Sequence, residues 1–273
     1  MDAAALVLLA LIFVIAVLYS SVGQAGGSGY LAAMALIGMA PAAMKPTALC
    51  LNIVVAMIAT ARFARAGHFS WRLFWPFALG SVPFSFLGGV MELPSFAYKS
   101  FVGMLLLFAA AMLLRRPAHG DERIDPADTD GLAELESPLV REGGAETAKQ
   151  GVRMPGVPRR VATGGAIGLL SGMIGIGGGI FLSPVVLLRG WAGARRTAGV
   201  TAPFILVNSA SALAGHYLAT GYIPAPAPLW AAAAALGGVI GAGLGAFRLS
   251  PAAIRRVLAM VLLIAAVRLI MSM

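Results

Sequence analysis

The sequence predicts an all-α integral membrane protein built of two inverted-topology repeats, each of about four to five helical segments, with glycine-broken or re-entrant helices near the midplane. Three observations predict it. Hydrophobic residues make up 59% of the chain and charged residues 11%, with a mean hydropathy of +0.88, whereas a soluble domain carries roughly 25% charge. Two glycine clusters, Gly23-Gln24-Ala25-Gly26-Gly27-Ser28-Gly29 and Gly175-Ile176-Gly177-Gly178-Gly179, each interrupt a long apolar stretch. Nine of the eleven acids lie between Arg115 and Arg160, so one polar segment divides two apolar halves.

The first apolar segment, 4–22, is read as a retained span, because no Lys or Arg precedes Lys45 to make the positive region of a secretory signal. The first glycine break follows, and segment 29–40 behind it falls short of the roughly 20 residues a full crossing needs. Segment 46–61 carries Thr47 and Asn52, with the single cysteine, Cys50, as a small buried hydrophobe. Segments 73–91 and 96–114 are joined through Glu92, Pro94 and Lys99.

Between the halves the acids Asp121, Glu122, Asp125, Asp128, Asp130, Glu134, Glu136, Glu142 and Glu146 mix with Pro117, Pro126, Pro138, Pro155 and Pro158. Such a composition cannot bury enough apolar surface to offset ordering entropy. The expected organisation is therefore a first membrane repeat at 1–114, a disordered linker at 115–160 and a second repeat at 161–273. In the second repeat the segments are 161–174, 179–189, 198–219, 228–247 and 252–270, and the second is again short. In each half the first two segments form either a re-entrant hairpin or one span followed by a half-helix, and the sequence does not choose between them.

The halves match in order as well as composition. Thr47-Ala48 corresponds to Thr201-Ala202 and Gly67-His68-Phe69 to Gly221-Tyr222-Ile223, both at an offset of 154. The preserved order of break, Thr, glycine turn and basic helix start indicates an internal duplication. Loop charge then sets orientation. Arg62, Arg65 and Arg72, the linker flanks Arg115, Arg116, Arg159 and Arg160, the group Arg189, Arg195 and Arg196, and the group Arg248, Arg255 and Arg256 are assigned to the cytoplasm by the positive-inside rule. Both termini come out external, and the two halves take opposite orientations. The net charge of +9 is a topology signal of this kind, not a sign of a nucleic-acid partner.

The run Gly177-Gly178-Gly179-Ile180-Phe181-Leu182-Ser183-Pro184, followed by Arg196-Thr197-Ala198-Gly199-Val200-Thr201, resembles the signature of the sulfite exporter TauE/SafE family of membrane permeases. A degraded copy recurs in the first half, where Gly26-Gly27-Ser28-Gly29 stands for the glycine triplet and Pro46-Thr47 for Val200-Thr201. The resemblance implies an anion permease of a bacterial inner membrane, moving sulfite, a sulfonate such as sulfoacetate, thiosulfate or another small organic anion.

The residues support an anion independently. A glycine break that opens a helix presents unpaired N–H groups and the positive end of a helix dipole, and paired breaks in two halves point to a transporter binding site. The candidate substrate-binding residues are Gln24, Gly26, Gly27, Ser28 and Gly29 in the first break and Gly177, Gly178 and Gly179 in the second, with Thr47, Asn52, Thr201 and Asn208 from the helices that follow. Ser183 also carries a suitable hydroxyl. Gly88-Gly89, Gly164-Gly165, Gly237-Gly238 and Gly241-Ala242-Gly243 read as close-packing positions. Lys45 is the external cation placed near a mouth of the site, or else a snorkelling side chain.

No carboxylate lies deep in a membrane segment, so nothing marks a proton relay. Export of one negative charge from a negative interior gains about 2.3 kcal/mol per 100 mV, roughly a fifty-fold gradient, and needs no coupling ion. The expected activity is therefore export of a small anion by alternating access. An importer coupled to a cation, an anion channel and a non-transporting membrane scaffold are the alternatives. An enzyme is not expected. The chain has no H-E-x-x-H motif and only three histidines, one of them His119 in the linker, and no metal-ligand spacing or cofactor motif. The partners expected are the small anion and the lipid bilayer, and no oligomeric state follows.

Overall fold

The computed structural model describes residues 3–115, 156–189, 191–222 and 228–244, together with positions 263, 266, 267, 270 and 271. Among the described residues every regular element is an α-helix: α1 (Ala3–Ser20), α2 (Gly27–Leu36), α3 (Pro41–Arg65), α4 (Trp71–Val90), α5 (Ser95–Arg115), α6 (Val157–Ile174), α7 (Gly179–Leu188), α8 (Ala194–Thr220) and α9 (Pro228–Leu244). The expected segments reappear with ends moved by a few residues. Most of the linker at 115–160, and most of segment 252–270 with Arg248, Arg255 and Arg256, lie outside the described residues.

Helix starts and stops follow local chemistry. Pro41 and Pro158 sit in the first turn of α3 and α6, where a missing N–H deprives no carbonyl. Gly175 and Gly221 end α6 and α8 in the left-handed conformation, with φ of 91° and 64°, which a residue with a Cβ reaches only at a cost. Arg62 and Arg65 fall in the last turn of α3 and complement its dipole. Pro76 lies inside α4 and has no N–H for the carbonyl of Arg72. Arg160 supplies the missing donor, its Nη1 lying 3.2 Å from that oxygen.

Lengths sort the helices. At 1.5 Å per residue α3 and α8, of 25 and 27 residues, reach about 40 Å, more than the roughly 30 Å hydrocarbon core. The ten residues of α2 and of α7 reach only about 15 Å. Pro41–Arg65, Trp71–Val90 and Arg195–Thr220 are long and apolar enough to cross a membrane, and Ala5–Ser20, Ser95–Phe108 and Leu229–Gly243 are shorter apolar helices.

Small residues bring helix backbones together. A Cβ at Gly164, Gly168 or Gly172 of α6 would run into the carbonyls of Phe77, Ser81 and Ser85 on α4. Four-residue spacing on both helices keeps these contacts in register along one face. Gly237 and Gly241 of α9 meet the carbonyls of Phe13 and Val17 on α1 in the same way. The packing keeps its plan when the two halves are exchanged: α4 lies on α6 and α8, α9 lies on α1 and α3, and α3 and α8 meet in the middle. Leu79, Phe84, Leu87, Met104, Leu218 and Leu236 stay exposed on the outside, the surface a lipid-facing helix presents.

Candidate substrate site

Both glycine breaks are built the same way. At the end of α1, Gly23 takes φ 72°, and the N–H groups of Gln24 and Gly23 donate to the carbonyls of Tyr19 and Ser20 at 2.9 and 3.1 Å. This is the crossed pair of bonds with which a glycine closes a helix. At the end of α6, Gly175 and Ile176 both donate to Ser171, at 2.8 and 3.3 Å. Left-handed Gly26 and Gly178, with φ of 103° and 82°, then open α2 and α7.

The chain doubles back at each break. A Cβ on Gly26 would stand 3.1 Å from Ile15 Cγ2, and one on Gly178 3.1 Å from Ile167 Cγ2. Each half therefore has a helix of 18 residues followed by a half-helix folded back on it.

The breaks interlock across the two halves. Gly23 sits against Ala198 of α8, and Gly175 against Lys45 of α3, whose carbonyl oxygen and Cα would be 3.0 and 3.2 Å from a Cβ there. Between the breaks stands Asn52. A Cβ on Gly27, the first residue of α2, would lie 2.6 Å from Asn52 Nδ2 and 2.6 Å from the carbonyl oxygen of Ile176. One on Gly177 would lie 2.7 Å from Ser209 Oγ and 3.3 Å from Asn52 Nδ2. The positive end of α2, the second break, the Asn52 carboxamide and the Ser209 hydroxyl thus meet at one place.

This meeting point is buried and its polar atoms are unspent. Asn52 and Ser209 are fully buried, and Asn52 Nδ2, Asn52 Oδ1 and Ser209 Oγ have no hydrogen-bond partner among the described residues. No side chain caps α2, and the N–H groups of its first turn have no acceptor inside the helix. Buried polar groups are nearly always paired. Several orphans at one point, beside a helix N-terminus, make a site suited to an oxyanion.

Among the described residues, the buried side chains able to carry charge are Lys45, Arg160 and His216. Lys45 and Arg160 are engaged at opposite ends of α4. The Lys45 ammonium donates to the carbonyls of Gly88, Gly89 and Met91 at 3.1, 2.9 and 3.1 Å, so it neither snorkels to water nor offers a free donor at a mouth of the site. Among the described residues no group of three or more His, Cys, Asp and Glu side chains could hold a metal ion.

The model of the sulfite exporter TauE/SafE family matches residues 8–269, which takes in both halves. The chain belongs to this family. It is also 39% identical to the probable membrane transporter protein y4hK of Sinorhizobium fredii, over 99% of this chain and 100% of that protein. No solved structure matches it. The TauE/SafE chain is thus a membrane transporter, and its helices supply the apolar exterior that role needs.

The residues singled out in this TauE/SafE chain divide by what they touch. Gly27, Gly177 and Asn52 come together. Gly29 packs on Ile15 and Tyr19, Gly26 on Ile15 and Tyr30, and Gly178 on Phe204 and Ile167, so these three serve close approach. Gly179 faces Ile205 and the Thr201 methyl. The Ser28 hydroxyl pairs with Tyr19 at 2.9 Å, and Thr201 with Ser183 at 3.1 Å. Asn208 spends its Nδ2 on the Phe204 carbonyl at 2.8 Å and leaves only Oδ1 without a partner. Thr47 is buried in the second turn of α3 and Gln24 is half-buried beyond α1.

Ser209, Ser171 and Tyr30 were not among the candidates, yet each carries a buried hydroxyl without a partner among the described residues. Ser171 and Ser209 had a signal in the sequence. Ser171 stands one turn before Gly175, and Ser209 follows Asn208 two turns after Thr201, on the face that a period of 3.6 brings round.

Proposed function

We propose that this TauE/SafE transporter exports a small sulfur-containing or organic anion, such as sulfite, sulfoacetate or thiosulfate, by alternating access between its two halves. The observation that carries the reading is the convergence of the α2 N-terminus and the second glycine break on Asn52, whose carboxamide has no partner among the described residues. Asn52 Nδ2, Ser209 Oγ and the first N–H groups of α2 supply donors to the anion's oxygens. The anion also cancels the positive end of the helix dipole, which burial would otherwise leave unsatisfied.

The interlocked breaks support alternating access. Each break seats on the long middle helix of the other half, so rocking one half against the other changes both sides of the site together. The TauE/SafE match supports sulfite and related anions as the substrate class. The arginine pattern supports external termini, an internal linker and oppositely oriented halves, and the family resemblance supports a bacterial inner membrane. Export follows the membrane potential and needs no second ion.

The test is flux in liposomes holding the purified chain, with labelled sulfite, thiosulfate, sulfoacetate and lactate under an imposed potential. Saturable, potential-sensitive flux of one anion, weakened in Asn52→Ala, is the expected result. Unsaturable conductance would replace the carrier by a channel. Flux only with an imposed cation gradient would replace export by coupled uptake. No flux of any of the four leaves a scaffold as the better reading.

A further inference from the structure

Lys45 holds a buried positive charge that the substrate site does not use. Its ammonium has three N–H donors, and three backbone carbonyls, those of Gly88, Gly89 and Met91, take all of them at 2.9–3.1 Å. These carbonyls close the C-terminal end of α4. Their helical acceptor role would need donors beyond the helix end, and Pro94 stops the chain from continuing as a helix to provide them. The end of a helix dipole adds negative potential at the same point. Glu92 and His216 lie within electrostatic reach of the ammonium, the first attracting it and the second on α8.

A cluster of carbonyl oxygens at a helix C-terminus is what transporters use to hold a coupling cation. Here the cation is tethered. The same residue also touches the other half, because Gly175, where the second break begins, packs on the Lys45 carbonyl and Cα. Charge in the carbonyl cluster and position of the break are therefore linked through one residue, with no diffusible ion between them.

We propose that the carbonyls of Gly88, Gly89 and Met91 form a monovalent-cation site occupied internally by the Lys45 ammonium, so that the chain carries its own cation and transports without sodium or potassium. The flux consequence rests on the transporter reading above; the site itself does not. Removing the ammonium opens the cluster to a small cation from solution, and the protein becomes dependent on one.

The experiment compares thermal unfolding of the purified full chain, Lys45→Met and Lys45→Arg in choline chloride and in sodium, potassium or ammonium chloride at equal ionic strength. The wild type is expected to melt alike in all four. Lys45→Met is expected to melt several degrees lower in choline and to recover saturably with at least one small cation, whereas Lys45→Arg, which keeps the charge, stays indifferent to the salt. A Lys45→Met protein that melts like wild type in choline overturns the proposal, as does a lowered melting point that no cation moves. So does a cation-dependent Lys45→Arg. Should Lys45→Met fail to fold in choline, it is prepared in ammonium chloride throughout, and failure there also overturns the proposal. In liposomes, wild-type flux that stops when sodium and potassium are replaced by choline overturns the flux consequence. Absence of flux in every salt counts against the transport reading and leaves the melting result to decide the cation site.

Discussion

At Asn52 stability and the proposed transport role pull in opposite directions. Its two polar atoms are buried without partners among the described residues, which costs a fold about 1–3 kcal/mol. Asn52→Leu removes that cost and keeps the volume. The variant is expected to unfold at the same temperature as wild type or higher, while anion flux falls at least ten-fold, because a hydrogen bond to a charged ligand contributes about 1.5–3 kcal/mol. Thermal melting and flux on one preparation check this, and a loss of stability with flux intact would make Asn52 a structural residue. Asn208 contrasts with it, since its Nδ2 already bonds the Phe204 carbonyl at 2.8 Å. Gly27→Ala tests the same point from the backbone side. The added methyl would stand 2.6 Å from both Asn52 Nδ2 and the Ile176 oxygen, so flux is expected to be abolished while the variant still reaches the membrane. Normal KM and rate in Gly27→Ala would show that the two breaks do not meet during transport.

Two kinds of glycine act at the scale of elements. Those in α4 and α6 let the helices touch backbone to backbone, and those in the breaks turn the chain. Gly168→Leu drives a side chain into the Ser81 carbonyl, where neither helix can retreat without losing its neighbours. A loss of about 3 kcal/mol or more is expected, seen as failure to purify or a sharp fall in melting temperature. Gly38, with φ 76°, has open space where a methyl group would go, with nothing within 4 Å, so Gly38→Ala carries only the backbone penalty of about 1–2 kcal/mol. Equal effects of the two substitutions would contradict the close α4–α6 contact. The half-helices α2 and α7 depend on neither length nor propensity. They hold because Tyr19 and Ser28, and Ser183 and Thr201, pair across their faces and because the glycine turns aim them back along α1 and α6.

At the scale of the whole molecule, packing that survives exchange of the halves accords with a duplicated chain. The arginine pattern makes the arrangement in the membrane testable. With the single cysteine replaced as Cys50→Ala, Ser137→Cys is expected to react with an impermeant maleimide only from the cytoplasmic side, and Asp2→Cys and Ser272→Cys only from outside. The reverse labelling would invert the orientation, and termini on opposite sides would break the inverted relation of the halves. The charge of the site bears on substrate choice. The buried cations Lys45 and Arg160 are engaged by backbone carbonyls, and burying charge without a full counter-charge grows steeply more costly with its magnitude. Monoanions such as hydrogensulfite are therefore expected to compete better than sulfate or other dianions in the flux assay. Stronger competition by dianions would require a cation in the site.

Composition and the glycine-interrupted apolar stretches determined by themselves that this is an all-helical membrane protein, because the bilayer imposes apolar length locally along the chain, and the runs Gly177–Pro184 and Arg196–Thr201 carried the resemblance to the TauE/SafE family. They also placed Asn52, Gly27 and Gly177 among the candidates, since an amide or a glycine in an apolar run needs a reason wherever it occurs. Only the tertiary structure decided which candidates meet. Ser28 and Thr201 looked as suitable as Asn52, yet their hydroxyls are taken by Tyr19 and Ser183, partners whose proximity depends on how the half-helices fold back. Lys45 looked like a mouth residue, and three carbonyls more than forty positions away along the chain claim its ammonium. Hydrogen-bond satisfaction is a property of neighbours in space, so it became readable only when the two halves were seen interlocked.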